Sequence, residues 1–198
     1  MINLLFYLFL LGCPAELEVA NTKDTSVKLT VPPEPPAELG VNVRDDCDQK
    51  AIGSSVCNLV LYDQNGELWQ LYDHKGKVIV LDFSTSWCYP CQVAGMQAQP
   101  LYDDYGGNVE FVTILVDGFT HSIPPTEDEI NSWVENHNIT TAPILRGSRE
   151  FVFDPMGITG YLIGGFPTYV FIDKEMKIHT GAVGFNEQYV RTIINGLL

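Results

Sequence analysis

The sequence predicts an α/β sandwich, a central sheet with helices on both faces. Three observations lead there. Two continuous apolar runs of strand length, "KVIVLDFS" (77–84) and "VEFVTILVDG" (109–118), have the pattern of strands buried on both faces. Each is followed by a stretch with helical signals. Near the C-terminus two more apolar runs lie in tandem, and a capped amphipathic segment follows them. Strands alternating with helices give the layered α/β class.

Taken in order, "NLVLYDQNGELWQLYD" is two alternating stretches around Asn65-Gly66, the strongest short hairpin signal. The 77–84 strand leads directly into two cysteines three residues apart, then into a helix-compatible stretch, "CQVAGMQAQPLYDDYGG". Thr126 and Glu129, after the 109–118 strand, have capping-box spacing and open a helix over "TEDEINSWVENHN". "PTYVFID" (167–173) and "KIHTGAVGF" (177–185) read as adjacent strands. Asn186 is the N-cap expected for a closing helix, "NEQYVRTIINGLL". No internal repeat is visible.

At 198 residues the chain is one ordinary domain plus extensions, and 45% hydrophobic content excludes wholesale disorder. The formal charge of −14 argues against a nucleic-acid partner, which requires clustered Lys and Arg to replace counterions. It is an equally poor match for anionic lipid heads.

The first residues are different in kind. "INLLFYLFLLG" is an apolar run too short to span a bilayer, with the length of a signal-peptide core, so residues 1–13 are expected to direct export. "LLGC" resembles the lipobox of bacterial lipoproteins, which implies lipidation of Cys13. No Lys or Arg precedes the run, and Leu11 is bulky for its position, so an ordinary cleaved signal or a misassigned start stays open. Residues 14–46, with "TVPPEPPAELG", are proline-rich and acidic; they read as a flexible tether ahead of a folded domain at 47–198.

Five cysteines stand at 13, 47, 57, 88 and 91. With Cys13 assigned to lipid the remainder is even, as an oxidising compartment favours. Cys47 and Cys57 are expected to form a structural disulfide where the tether meets the domain, contributing about 2–3 kcal/mol. Two unpaired thiols are the alternative.

Cys88 and Cys91, within "TSWCYPCQ", suit three chemistries. A haem attachment needs histidine after the second cysteine, where Gln92 stands. A structural zinc needs two further ligands in a tight pair. Cys47 and Cys57 are too far apart for that, and His74, His121, His137 and His179 are scattered, so no metal is expected. A redox dithiol explains the neighbours. The buried strand projects "TSWC" beyond the sheet, where a helix begins, and unpaired N–H groups there stabilise a thiolate at Cys88. Pro90 suits the first helical turn, Cys91 lies one turn on and shielded, and Trp87 provides an apolar flank.

"VIVLDFSTSWCYPC" resembles the active-site strand and turn of thioredoxins, and "GGFPTYVFID" their cis-proline strand, in the expected order about 80 residues apart. The hairpin ahead of the core and the insertion before Pro167 resemble the exported TlpA-like branch, over roughly residues 50–198. The resemblance implies a thioredoxin fold with a central mixed sheet. It also implies a thiol–disulfide oxidoreductase whose redox-active disulfide, Cys88–Cys91, stands in place of any cofactor. Cys88 then matches the attacking cysteine and Cys91 the resolving one. Asp82 matches the buried acid that moves the Cys91 proton, and burial would raise its pKa toward the working pH. A strand-end acid reaching solvent is the alternative there. Pro167 matches the cis-proline facing the dithiol. The backbone of Phe166 would pair with an extended substrate, and Trp87, Tyr89, Pro90 and Thr168 complete the substrate-binding set. The chain departs from the family where a proline usually follows the second cysteine. Gly95 and Met96 occupy that region and Pro100 comes later, leaving the helix register open.

Two rivals remain. Thr85 to Cys88 fits a peroxiredoxin spacing, but Leu81 stands where that site carries proline, and no activating arginine is evident. A lipoprotein using the dithiol to deliver metal, or as a scaffold, is the non-enzymatic alternative. The expected partners are protein thiols and disulfides and a membrane electron donor. The expected setting is the periplasmic or cell-envelope face, lipid-anchored and monomeric. Tyr89-Pro90 holds no His or Lys to stabilise the thiolate further, so a reductase is expected rather than a strong oxidant.

Overall fold

The computed structural model describes residues 39–43, 45–153 and 160–198. All of them lie in the compact unit Pro36–Leu198. Cys13, the signal segment and most of the stretch expected as a tether lie outside the described residues.

Strand β4 (Val78–Thr85) is buried along its whole length, as an apolar run without alternation must be. It pairs parallel with β5 (Val109–Asp117), also buried throughout, and antiparallel with β7 (Thr168–Ile172). β5 continues parallel into the short β6 (Ile144–Arg146), and β7 antiparallel into β8 (Ile178–Val183). The hairpin of β2 (Asn58–Asp63) and β3 (Leu68–Gln70) joins the other edge, β2 pairing with β6. Asp63 fastens the hairpin turn: its carboxylate accepts from the N–H groups of Asn65 and Glu67, and Gly66 supplies the positive φ of 77°. The sheet is therefore mixed, with β4 near its centre.

Alternate residues of β4 feed two cores. Val78 and Val80 face α1 (Tyr89–Gly95), α2 (Ala98–Asp104), α3 (Glu127–Asn136) and α5 (Glu187–Leu197) through Cys91, Ala98, Trp133 and Ile194. Ile79, Leu81 and Phe83 face Leu59, Leu71 and Val152 on the opposite side. Each such fully buried aliphatic stabilises the fold by about 1.5–3 kcal/mol. Among the described residues the two faces are covered unequally. Opposite the four helices lie a 3₁₀ turn (Leu71–His74), the one-turn α4 (Arg149–Val152) and loops.

The expected caps are present. Thr126 Oγ1 accepts from Glu129 N–H while the Glu129 carboxylate accepts from Thr126 N–H, and Asn186 caps α5 by accepting from Tyr189 N–H. The helix after the cysteines is broken, α1 ending at Gly95 and α2 beginning at Ala98. Pro100 cannot donate to a carbonyl one turn back, so an unbroken helix would lose that bond. Gly95 is required by packing: a Cβ there would lie 2.7 Å from His137 and Trp133.

Three elements were not foreseen. β1 (Gly40–Asn42) pairs with β2 inside the stretch 14–46 expected as a tether, so the sheet begins ahead of Cys47. β6 and the one-turn α4 lie in the segment between β5 and Pro167, after α3. Cys47 and Cys57 are joined in a disulfide with Cα atoms 5.0 Å apart. The loop they close lies along the start of β8, where Gly53 N–H donates to Ile178 O and Ile178 N–H to Ser54 O.

Candidate active site

β4 ends at Thr85, and two residues later the chain enters α1 with Cys88 as its N-cap residue and Pro90 in the first turn. This is the local geometry that a buried strand followed by "SWCYPC" dictates. Gln92 ties the turn to the helix by donating from Nε2 to Ser86 O at 2.7 Å. Cys88 and Cys91 are free thiols, Cys88 only 5% exposed and Cys91 sealed. Cys88 Sγ lies 3.5 Å from Phe166 O. The Phe166–Pro167 peptide is cis.

Burial drives the Cys91 thiol well above the usual cysteine range, and its hydrogen bond with Cys88 raises it further. Asp82 lies on the same face of β4, fully buried. Desolvation pushes its carboxyl up to about 7, although Ser84 Oγ donates to it at 2.8 Å. Its strand neighbours are Thr113 on β5 and Tyr169 on β7, and one of its oxygens, Oδ2, has no hydrogen-bond partner. The negative charge of Asp82 also contributes to the rise of Cys91, so the two groups sense one another. A buried carboxyl near neutrality is able to take up and release a proton at ordinary working pH.

The remaining expected residues divide. Trp87 and Phe166 flank Cys88, their rings meeting edge-on at 6.0 Å. Tyr89, 79% exposed, and Pro90 form the outer rim. Thr168 is buried and its hydroxyl donates to Gly165 O, so its side chain holds the turn before β7 instead of facing a substrate. Among the described residues no three His, Cys, Asp or Glu side chains are grouped to hold a metal.

Sequence reasoning missed a second acid. Asp117, fully buried at the end of β5, accepts from Trp87 Nε1 at 3.1 Å and from Ser122 N–H at 3.0 Å. It also receives a two-pronged ion pair from Arg149, at 2.9 and 2.7 Å. Burial alone would raise this carboxyl, but the Arg149 guanidinium and the N–H donors hold it below the usual aspartate range. The His121 ring lies tilted beside Trp87, with centroids 5.1 Å apart. Only the position of Asp117 at the end of an apolar strand hinted at it; Arg149 left no signal.

The model of the AhpC/TSA family matches residues 52–180, well over half of the chain. The chain belongs to that family. Among its relatives, the thiol-disulfide oxidoreductase ResA of Bacillus cereus is 28% identical over 141 residues, covering 70% of this chain and 73% of that one. ResA of Oceanobacillus iheyensis is 29% identical over 142 residues, covering 69% and 67%. Among solved structures, the thioredoxin domain of a thiol-disulfide oxidoreductase from Bacteroides vulgatus superposes with a TM-score of 0.61 at 20% identity. It covers 75% of this chain and 99% of that one. This family member thus has a thioredoxin-like fold.

Proposed function

We propose that this thiol–disulfide oxidoreductase reduces disulfides of exported polypeptides through Cys88 and Cys91. The observation that carries the reading is the grouping of three residues: Cys88, 5% exposed, against Phe166 O, Cys91 fully sealed, and Asp82 buried with its carboxyl near 7.

The steps balance as follows. The Cys88 thiolate attacks one sulfur of a substrate disulfide; an S–S bond forms to Cys88, the substrate S–S bond breaks, and the departing sulfur takes a proton. Asp82 then accepts the Cys91 proton, and the Cys91 thiolate attacks Cys88. The mixed disulfide breaks and the second substrate sulfur leaves with a proton. Two electrons and two protons pass to the substrate, and a Cys88–Cys91 disulfide remains. A dithiol donor at the membrane, acting by the same exchange in reverse, restores the pair. Export and lipid attachment at Cys13 are part of the proposal. They rest on the apolar leader and "LLGC"; among the described residues no helix is long and apolar enough to cross a membrane.

Cys88→Ser is expected to abolish insulin reduction with dithiothreitol as donor, while Cys91→Ser accumulates covalent substrate adducts that dithiothreitol releases. Full activity in Cys88→Ser refutes the reading. Peroxide consumption in the same samples tests the peroxidase alternative, against which stands the engagement of Arg149 by Asp117.

A further inference from the structure

Arg149 is the first residue of α4, fixed in place because Ser148 Oγ caps the turn by accepting from Phe151 N–H. Its guanidinium reaches in two directions. Toward β5 it forks onto Asp117, Nε to Oδ1 at 2.9 Å and Nη2 to Oδ2 at 2.7 Å. Oδ2 is also the acceptor for Trp87 Nε1, and the main-chain oxygen of Asp117 accepts from Ser86 N–H at 3.1 Å. Toward β7 the guanidinium carbon stands 5.8 Å from the centre of the Phe166 ring and 5.7 Å from that of Phe153. One cation therefore touches the supports of both residues that flank Cys88: the indole on one side, and on the other the residue whose carbonyl lies 3.5 Å from the sulfur.

Neutralising the buried Asp117 accounts for the ion pair but not for the indole bonded to it. Trp87 is 41% exposed, and pinning a large surface ring by its N–H costs side-chain freedom without sealing a core. What it produces is a wall with a fixed angle beside the nucleophile. Resting on the reading of Cys88 and Cys91 as the reacting dithiol, we propose that Arg149 is a positioning residue. It holds Trp87 through Asp117 and Phe166 through its guanidinium face, and so shapes the cleft that receives the polypeptide flanking a substrate disulfide. The role requires a planar fork: a lysine in its place keeps the charge but can neither bind both carboxylate oxygens in one plane nor lie flat on a ring.

The test uses the full chain and the variants Arg149→Gln and Arg149→Lys, with insulin as substrate and dithiothreitol as donor. A second readout is the ¹⁵N indole resonance of Trp87, which is set apart because Trp69 Nε1 and Trp133 Nε1 are buried without an acceptor. In both variants KM is expected to rise about tenfold while kcat falls less than about threefold, because binding walls are disturbed and the dithiol is not. The Trp87 indole resonance is expected to move toward the two unbonded ones. Arg149→Lys retains a cation against the buried Asp117 and so keeps the fold if Arg149→Gln does not. Wild-type KM and an unmoved resonance in Arg149→Lys overturn the proposal, since charge alone then suffices. A loss of kcat in proportion to lost folded protein, with KM unchanged, overturns it as well. If the wild-type chain reduces no insulin, the functional reading fails instead, and the indole resonance alone decides whether Arg149 holds Trp87.

Discussion

Asp82, in the middle of β4, and Asp117, at the end of the parallel β5, are both fully buried aspartates, yet their protonation is driven in opposite directions. Asp82 has the hydroxyls of Ser84, Thr113 and Tyr169 beside it but no cation, and desolvation outweighs them, raising its carboxyl from 3.8 to about 7. Asp117 suffers the same desolvation, but a bidentate guanidinium and two N–H donors more than offset it, and its carboxyl is lowered. Burial therefore does not decide what a carboxyl does; the charge placed against it does. The first acid can exchange a proton near neutral pH. The second stays ionised to lower pH than an ordinary aspartate, which suits it to holding Trp87 in place.

The largest effect separating them is kinetic. Asp82→Ala should lower kcat for disulfide reduction by about 10²–10⁴-fold, the usual worth of a positioned base, with the Cys88 mixed disulfide accumulating. The wild-type rate should rise with pH through about 7, as the Asp82 carboxylate forms, and the variant should lose that inflection. A pH profile of kcat from 5 to 9 tests both; a variant within threefold of wild type would remove Asp82 from the mechanism.

The next effect is on stability. Asp82 binds its proton more tightly folded than unfolded, so it leaves stability intact below about 4 and erodes it as pH rises to about 7. The erosion reaches at most about 4 kcal/mol, from roughly three pKa units at 1.36 kcal/mol each. Asp82→Asn should accordingly be the more stable protein at pH 8, by about 2–4 kcal/mol, with the gain vanishing near pH 4. Urea midpoints at pH 4.5 and 8 measure this. Equal midpoints for variant and wild type at pH 8 would show that the site tolerates the charge.

These two acids also mark how far the sequence could be read. Cys88 and Cys91 were legible from the strand–turn–helix that carries them, while Asp82, within the same ten residues, and Pro167 were legible through the resemblance of their strands to thioredoxins. Asp117 and Arg149 are 32 residues apart and belong to different elements, and no periodicity links them. β6, with three residues, is shorter than any pattern can register, and it delivers Arg149 to the site. β1 was hidden for a related reason: three residues within a proline-rich stretch carry no alternation, and only pairing with β2 makes them a strand. Long-range charge pairing was the part that the sequence did not disclose.

The smallest effect probes the second acid. A carboxyl held below its ordinary value adds stability above about 4 and loses it as pH falls through the lowered value, the opposite sign to Asp82. Asp117→Asn keeps an acceptor for Trp87 Nε1 but leaves Arg149 without its counter-charge. Breaking a fully buried pair costs about 3–5 kcal/mol. Arg149 is 35% exposed and can turn to water, so about 1–3 kcal/mol is expected at pH 7. That deficit should shrink as pH falls through the lowered value, where the wild-type carboxyl protonates and its pair weakens. Urea midpoints from pH 7 down through that value therefore give the two acids opposite trends: Asp82→Asn gains over wild type as pH rises, and Asp117→Asn falls behind it. A deficit for Asp117→Asn that stays constant across this range would mean that Asp117 acts through its hydrogen bonds alone and that the Arg149 charge contributes nothing to stability.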